Sequence, residues 1–127
     1  MAPKKQTILL IEDSVSTRAT YKNFFEKHGY HILEAANGET GWAIARDKLP
    51  DLVVLDLLLP DIHGLEVLKN IRSDEKTKNI PVLVLTNVKE AEDIQKSKTM
   101  GASHYAHKGS VTPTKIIEIV ENLLKKK

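Results

Sequence analysis

The chain has 127 residues, 41% of them hydrophobic and none of them cysteine, which is enough for one well-filled domain, too little for two, and excludes disulfides and thiolate metal sites. No apolar run approaches the roughly 20 residues of a membrane helix, and Met1-Ala2-Pro3-Lys4-Lys5-Gln6 lacks the apolar stretch of a signal peptide, so a cytoplasmic protein without membrane insertion is expected. The net charge of +2 comes from the terminal Lys125-Lys126-Lys127, and no Arg/Lys cluster accompanies a groove-entering element, so direct nucleic-acid binding is not expected.

Short apolar runs alternate with helical periodicity. Residues 7–11 read as a buried strand of parallel-sheet type. Ser14 suits the N-cap of a helix in which Tyr21, Phe24, Phe25 and His28 recur at three- and four-residue spacing, and Gly29 suits its C-terminal end. A second strand covers 31–35. Asn37 caps the next helix, with Trp42, Ala45 and Leu49 as its inward stripe. After the Pro50-Asp51 break comes a third strand, 52–56, and Gly64 opens a helix with Leu65, Leu68 and Ile71 inward. Pro81 begins a fourth strand, 81–86, as proline can at a strand's first residue. Helix 89–100 has few apolar positions, Ala91, Ile94 and Met100, and Gly101 ends it. A short fifth strand spans 103–106. Thr112 caps the last helix, 112–126, with Pro113 in its first turn and Ile116, Ile119, Val120 and Leu123 on its buried face.

This order of strands and helices implies a parallel sheet covered on both faces. Right-handed crossovers gather the carboxyl ends of the strands on one edge, where ligands bind. Glu12 and Asp13 follow the first strand, Asp56 ends the third, Thr86 ends the fourth and Lys108 follows the fifth. A carboxylate at the exit of a buried strand is costly to desolvate unless a cation or partner receives it. Taken singly, each has an ordinary alternative: a strand-end Asp caps helices or forms turns, Thr is a common strand residue and Lys is usually solvated. Taken together, three acids, a hydroxyl and an amine on one edge make a divalent-cation and phosphoryl site. The acids would repel one another without a metal, raising at least one pKa and titrating as a coupled set. His28, His31, His63, His104 and His107 show no metal-ligand pairing.

Ile11-Glu12-Asp13-Ser14, Asp56 with Pro60 and Gly64, Thr86 and Lys108, in that order and each at a strand end, resemble the receiver domain of bacterial two-component response regulators. The resemblance spans about residues 6–124 and reads the chain as a single receiver domain, 1–127, with no output domain. It implies a flavodoxin-like (βα)5 three-layer sandwich with a five-stranded parallel sheet of order 2-1-3-4-5. It also implies that Asp56 accepts a phosphoryl group from a histidine kinase or histidine phosphotransfer protein in a Mg²⁺-dependent phosphorelay. Mg²⁺ takes hard oxygen ligands and keeps several waters; Glu12, Asp13, Asp56 and the Leu58 backbone carbonyl would hold it. Thr86 and Lys108 would hold phosphoryl oxygens. Thr86 would move inward and Tyr105 would fill the space behind it, switching the surface formed by helix 89–100, strand 103–106 and helix 112–126 toward an unidentified downstream protein or a second copy of the chain. Ile117 and Leu124 stand at the rim of that surface or in a broad buried stripe.

Three features depart from the family pattern. Asn87 replaces a small residue and narrows access to Asp56. Gly109 replaces a proline with a cis bond, and a non-proline cis bond costs about 2.5–4 kcal/mol, so no cis bond is expected and the loop 107–111 should be looser. Leu58 and Val88 are apolar where the family sets the lifetime of the phosphorylated state, which implies poor orientation of the hydrolytic water and a long-lived acyl phosphate. The rival readings are a receiver-like binding module that has lost phosphotransfer and an aspartyl-nucleophile phosphatase. The phosphatase needs a second Asp where Leu58 stands.

Overall fold

The computed structural model describes residues 5–125. Five parallel strands, β1 (Thr7–Ile11), β2 (His31–Ala35), β3 (Leu52–Leu55), β4 (Val82–Thr86) and β5 (His104–His107), form one sheet of order β2-β1-β3-β4-β5. This is the expected order. Five helices connect and follow them: α1 (Val15–Lys27), α2 (Gly38–Lys48), α3 (Gly64–Ser73), α4 (Ala91–Thr99) and α5 (Pro113–Lys125). The register runs unbroken, with Ile11 opposite Leu55 and Thr86 opposite His107, so the strand exits lie side by side.

The sheet is buried on both faces because its central strands are apolar apart from Thr7 and Thr86 at their ends. One core, around Leu10, Phe25, Val54, Leu83, Ile116 and Val120, lies under α1 and α5. The other, around Leu9, Ala45, Val53, Val67, Ile71 and Val84, lies under α2 and α3. Ser14 caps α1 through the Thr17 N–H, and Thr112 caps α5 through the Lys115 N–H, as their positions predict. Gly29 has φ +91°, the conformation that ends a helix most easily in glycine.

Several boundaries and faces differ from the sequence reading. Strand β3 stops at Leu55, so Asp56 lies just past it. Strand β5 is shifted one residue, to His104–His107. Helix α4 is shorter than 89–100, and α5 begins at Pro113; the expected end at Lys126 lies outside the described residues, as do Met1–Lys4 and Lys127. Leu49 is 48% exposed and left-handed at φ 49°, because it is the residue that turns the chain out of α2. His28 is also exposed, its ring held by the Phe24 carbonyl. Val67 replaces half-buried Leu65 in the core. Ile117 and Leu124 are buried while Leu123 is half-buried, which settles these two residues in the stripe rather than at an exposed rim.

Arg72 on α3 brackets the far end of α4. Its guanidinium donates to the Gly101, Lys78 and Ile80 carbonyls and to the Ser103 hydroxyl. No helix among the described residues is long and apolar enough to cross a membrane.

Candidate functional site

Asp56 is 6% exposed, and its carboxylate is seated by three donors. Oδ1 accepts from the Thr86 hydroxyl at 2.6 Å and from the Leu58 N–H at 3.1 Å, while Oδ2 accepts from Lys108 Nζ at 2.8 Å. Charge-assisted hydrogen bonds of this kind are the condition on which a carboxylate is kept dry. Thr86 comes from the end of β4 and is fully buried. Lys108 follows β5, its N–H held by the Thr86 carbonyl at 2.9 Å.

Glu12, 3% exposed, is the second buried acid. Lys108 Nζ also donates to its Oε1, and the Ser14 N–H donates to Oε2 at 3.1 Å. Burial pushes the Glu12 carboxyl above its ordinary value, outweighing the opposing pull of Lys108 and Ser14. For Lys108, burial works against the ammonium, but the hydrogen bonds to Asp56 and Glu12 prevail and hold it above its ordinary value. Glu12, Asp13 and Asp56 present carboxylate oxygens within 4.8 Å of one another, the only such group of ligand-type side chains among the described residues. This donor set of hard oxygens, with exposed Asp13 on the solvent side, fits Mg²⁺ and does not fit a soft metal.

Leu58 is 55% exposed, and Val15 at the start of α1 is 73% exposed. Asn87 is exposed too. Val88 is 4% exposed. Its N–H lies 3.4 Å from Thr86 Oγ1, and its carbonyl accepts from the Tyr105 hydroxyl. A chain of contacts therefore runs from Asp56 through Thr86 and Val88 to Tyr105. Burial raises the Tyr105 phenol above its ordinary value, with Asp93 and Glu90 adding to the effect.

Sequence reasoning brought Glu12, Asp13, Asp56, Thr86 and Lys108 to one edge, and the structure places them together; Tyr105, read as filling space behind Thr86, is linked to them through Val88. In the loop after Lys108 the Ser110 and Val111 N–H groups both reach the His107 carbonyl at 3.0 Å, and no peptide bond among the described residues is cis. Gly109 is accommodated by His107, whose Cε1 would lie 3.0 Å from an added Cβ. His107 itself lines a pocket with Val88, Lys89, Ile94, Tyr105 and Ser110. Two neighbours of the site were not foreseen. Arg18 donates to the Glu12 carbonyl at 2.7 Å and to Glu34 at 3.3 Å. Asp61 accepts from the Gly38 and Glu39 N–H groups at 2.8 and 2.9 Å, which holds its carboxyl below the ordinary carboxylate value. Both contacts cross between elements, so no local pattern announces them.

Residues 8–121 match the response regulator receiver domain family. The chain is 34% identical to the protein PilH of Pseudomonas aeruginosa over 101 residues, covering 80% of this chain and 84% of that one. It is 36% identical to sporulation initiation phosphotransferase F of Bacillus subtilis over 102 residues, covering 80% and 81%. The crystal structure of the chemotaxis protein CheY4 of Vibrio cholerae superimposes with a TM-score of 0.86 at 26% identity, covering 94% of this chain and 99% of that one. The match over nearly the whole chain, on a sheet of the same order, means that this protein belongs to the response regulator receiver domain family.

Proposed function

We propose that Asp56 is the phosphoacceptor of a signalling switch, charged by a phosphohistidine on a histidine kinase or histidine phosphotransfer protein, with Mg²⁺ held at Glu12, Asp13, Asp56 and the Leu58 carbonyl. The observation that supports this reading is the seat of Asp56, which has a hydroxyl on one oxygen, an ammonium on the other and two further carboxylates beside it. An Asp56 oxygen attacks phosphorus, the P–N bond to the donor imidazole breaks and its electron pair stays on the imidazole nitrogen. Mg²⁺, when bound, neutralises charge on the phosphoryl oxygens. Catalysis of this kind is mainly positioning and charge neutralisation. Lys108 and Thr86, already in contact with Asp56, supply the remaining donors to the phosphoryl group.

Drawing Thr86 toward the new charge pulls on Val88 and so on Tyr105. The two-state element biased in this way is the face of α4, β5 and α5. Helix α4 buries Ser97 alone, so little apolar contact opposes its displacement. A downstream protein, or a second copy of this chain, reads that face. The same site returns to rest when water cleaves the acyl phosphate, which makes the protein a cytoplasmic switch acting on itself and not an enzyme with a separate substrate.

The test is labelling by a small phosphodonor such as acetyl phosphate, read by intact mass. Wild type takes up one phosphoryl group when Mg²⁺ is present and none with chelator, and Asp56→Asn takes up none. Equal labelling of Asp56→Asn, or no labelling of wild type, refutes the assignment.

A further inference from the structure

The segment from Asp56 to Gly64 carries the Leu58 carbonyl and is fixed at its base. The Gly64 N–H reaches the Leu57 carbonyl at 2.8 Å. Gly64 sits so close to the Asp56 carbonyl and Leu57 Cα that a side chain there has no room. Leu57 is fully buried. Between these points the chain loops out through Leu58, Leu59, Pro60, Asp61, Ile62 and His63, and Asp61 at its tip reaches the start of α2.

The contact there is specific. A helix start leaves its first four N–H groups without intrahelical partners. In α2 three of these are taken: Gly38 and Glu39 donate to the two oxygens of Asp61, and Thr40 to the Asn37 side chain at 2.8 Å, while Gly41 makes the first intrahelical bond, to the Asn37 carbonyl at 3.0 Å. Asn37 is the local cap, and Asp61, 23 residues away from Gly38, completes it. The negative carboxylate also meets the positive end of the helix dipole. Ile62 packs next to this junction, so close to Gly38 that an added Cβ would lie 2.5 Å from Ile62 Cγ1. The helix start and the loop tip are built as one unit.

We propose that Asp61 is a positioning residue for the metal site: by clamping the loop tip onto α2 it holds the segment that carries Leu58, whose carbonyl would be a ligand to Mg²⁺. The proposal rests on the reading that Mg²⁺ binds at Glu12, Asp13, Asp56 and the Leu58 carbonyl. Partners that orient metal ligands, without touching the metal, change affinity by about 10–100-fold when removed. Asp61 acts through the backbone, and its loss belongs at the low end of that range.

Mg²⁺ binding to the unphosphorylated full chain, measured by isothermal titration calorimetry, separates the possibilities. Asp61→Ala raises the Mg²⁺ dissociation constant about tenfold. Asp61→Asn keeps one acceptor oxygen for the helix but turns its amide N–H₂ toward the second N–H, and falls between wild type and Asp61→Ala, at about threefold. Equal loss in Asp61→Asn and Asp61→Ala means that the carboxylate acts only by its charge and overturns the proposal. Unchanged affinity in Asp61→Ala, with a lowered thermal midpoint, means a structural cap alone and also overturns it. Asp13→Asn is the separate control on the underlying reading: if wild type binds Mg²⁺ and Asp13→Asn does not, the metal site stands whatever Asp61 does. Absence of Mg²⁺ binding in wild type ends both.

Discussion

Lys108 Nζ donates to Asp56 Oδ2 across 2.8 Å. The same ammonium serves Glu12, so one cation compensates two carboxylates that are nearly cut off from water. Removing one partner of a buried charged group leaves the others uncompensated, at about 3–5 kcal/mol. Lys108→Ala is therefore expected to lose stability of that order in metal-free buffer. Mg²⁺ should restore more of it than it adds to wild type, because ligand binding to the native state stabilises by mass action. Phosphoryl uptake should fall by about 10²-fold, the usual effect of losing a positioned donor. Urea unfolding with and without Mg²⁺, alongside acetyl phosphate labelling, measures all three.

Tyr105 reaches the Val88 carbonyl through its hydroxyl. Tyr105→Phe keeps the ring and removes this bond, for an expected loss of about 1 kcal/mol. The change should be local. Amide exchange at Val88–Glu90 should accelerate while β1 and β3 stay protected, and phosphoryl uptake at Asp56 should be unchanged.

Two carboxylates near the site respond to acid in opposite senses. The Glu12 carboxyl is raised by burial, so the native state holds its proton more tightly than the unfolded chain. Its contribution is greatest below the ordinary glutamate value and is lost as pH rises through the raised one. The Asp61 carboxyl is lowered by the α2 N–H groups. Its contribution is present above the ordinary aspartate value and disappears as pH falls through the lowered one. Urea midpoints of wild type, Glu12→Gln and Asp61→Asn across acidic pH should show the first variant losing a downward slope with pH and the second losing an upward one.

Leu58 is exposed beside Asp56, and its side chain offers no polar group to a water molecule. Leu58→Asn supplies one. Dephosphorylation of the loaded protein should quicken about tenfold, or roughly 1.4 kcal/mol of barrier. An unchanged rate would remove Leu58 as a determinant of lifetime.

Gly64 faces the Asp56 carbonyl and Leu57 Cα with no space for a methyl group. Gly64→Ala must shift backbone at Asp56 and Leu57. The expected loss is about 1–3 kcal/mol, together with weakened Mg²⁺ binding, both measurable by urea unfolding and calorimetry.

The sheet order was legible from the resemblance to receiver domains, and the gathering of Glu12, Asp13, Asp56, Thr86 and Lys108 because each stands at or just past the end of an apolar run, which parallel topology brings to one edge. What periodicity could not decide was which side of a helix end faces inward. Leu49 continues the stripe of α2 in sequence but is the residue that leaves the helix, and Ile117 with Leu124 shows that α5 buries a wider face than its spacing alone marked. Asp61 and Arg72 were invisible for a different reason. Their partners are backbone groups on other elements, and backbone groups leave no signature in residue type.

The reacting groups come from the exits of β1, β3, β4 and β5, and Lys108 stands 96 residues from Glu12 and 52 from Asp56. No segment that stops before Lys108 holds the whole set, and an emerging polypeptide lacks it until the fifth strand has joined the sheet. On the proposed reading, competence to be charged waits on completion of the sheet.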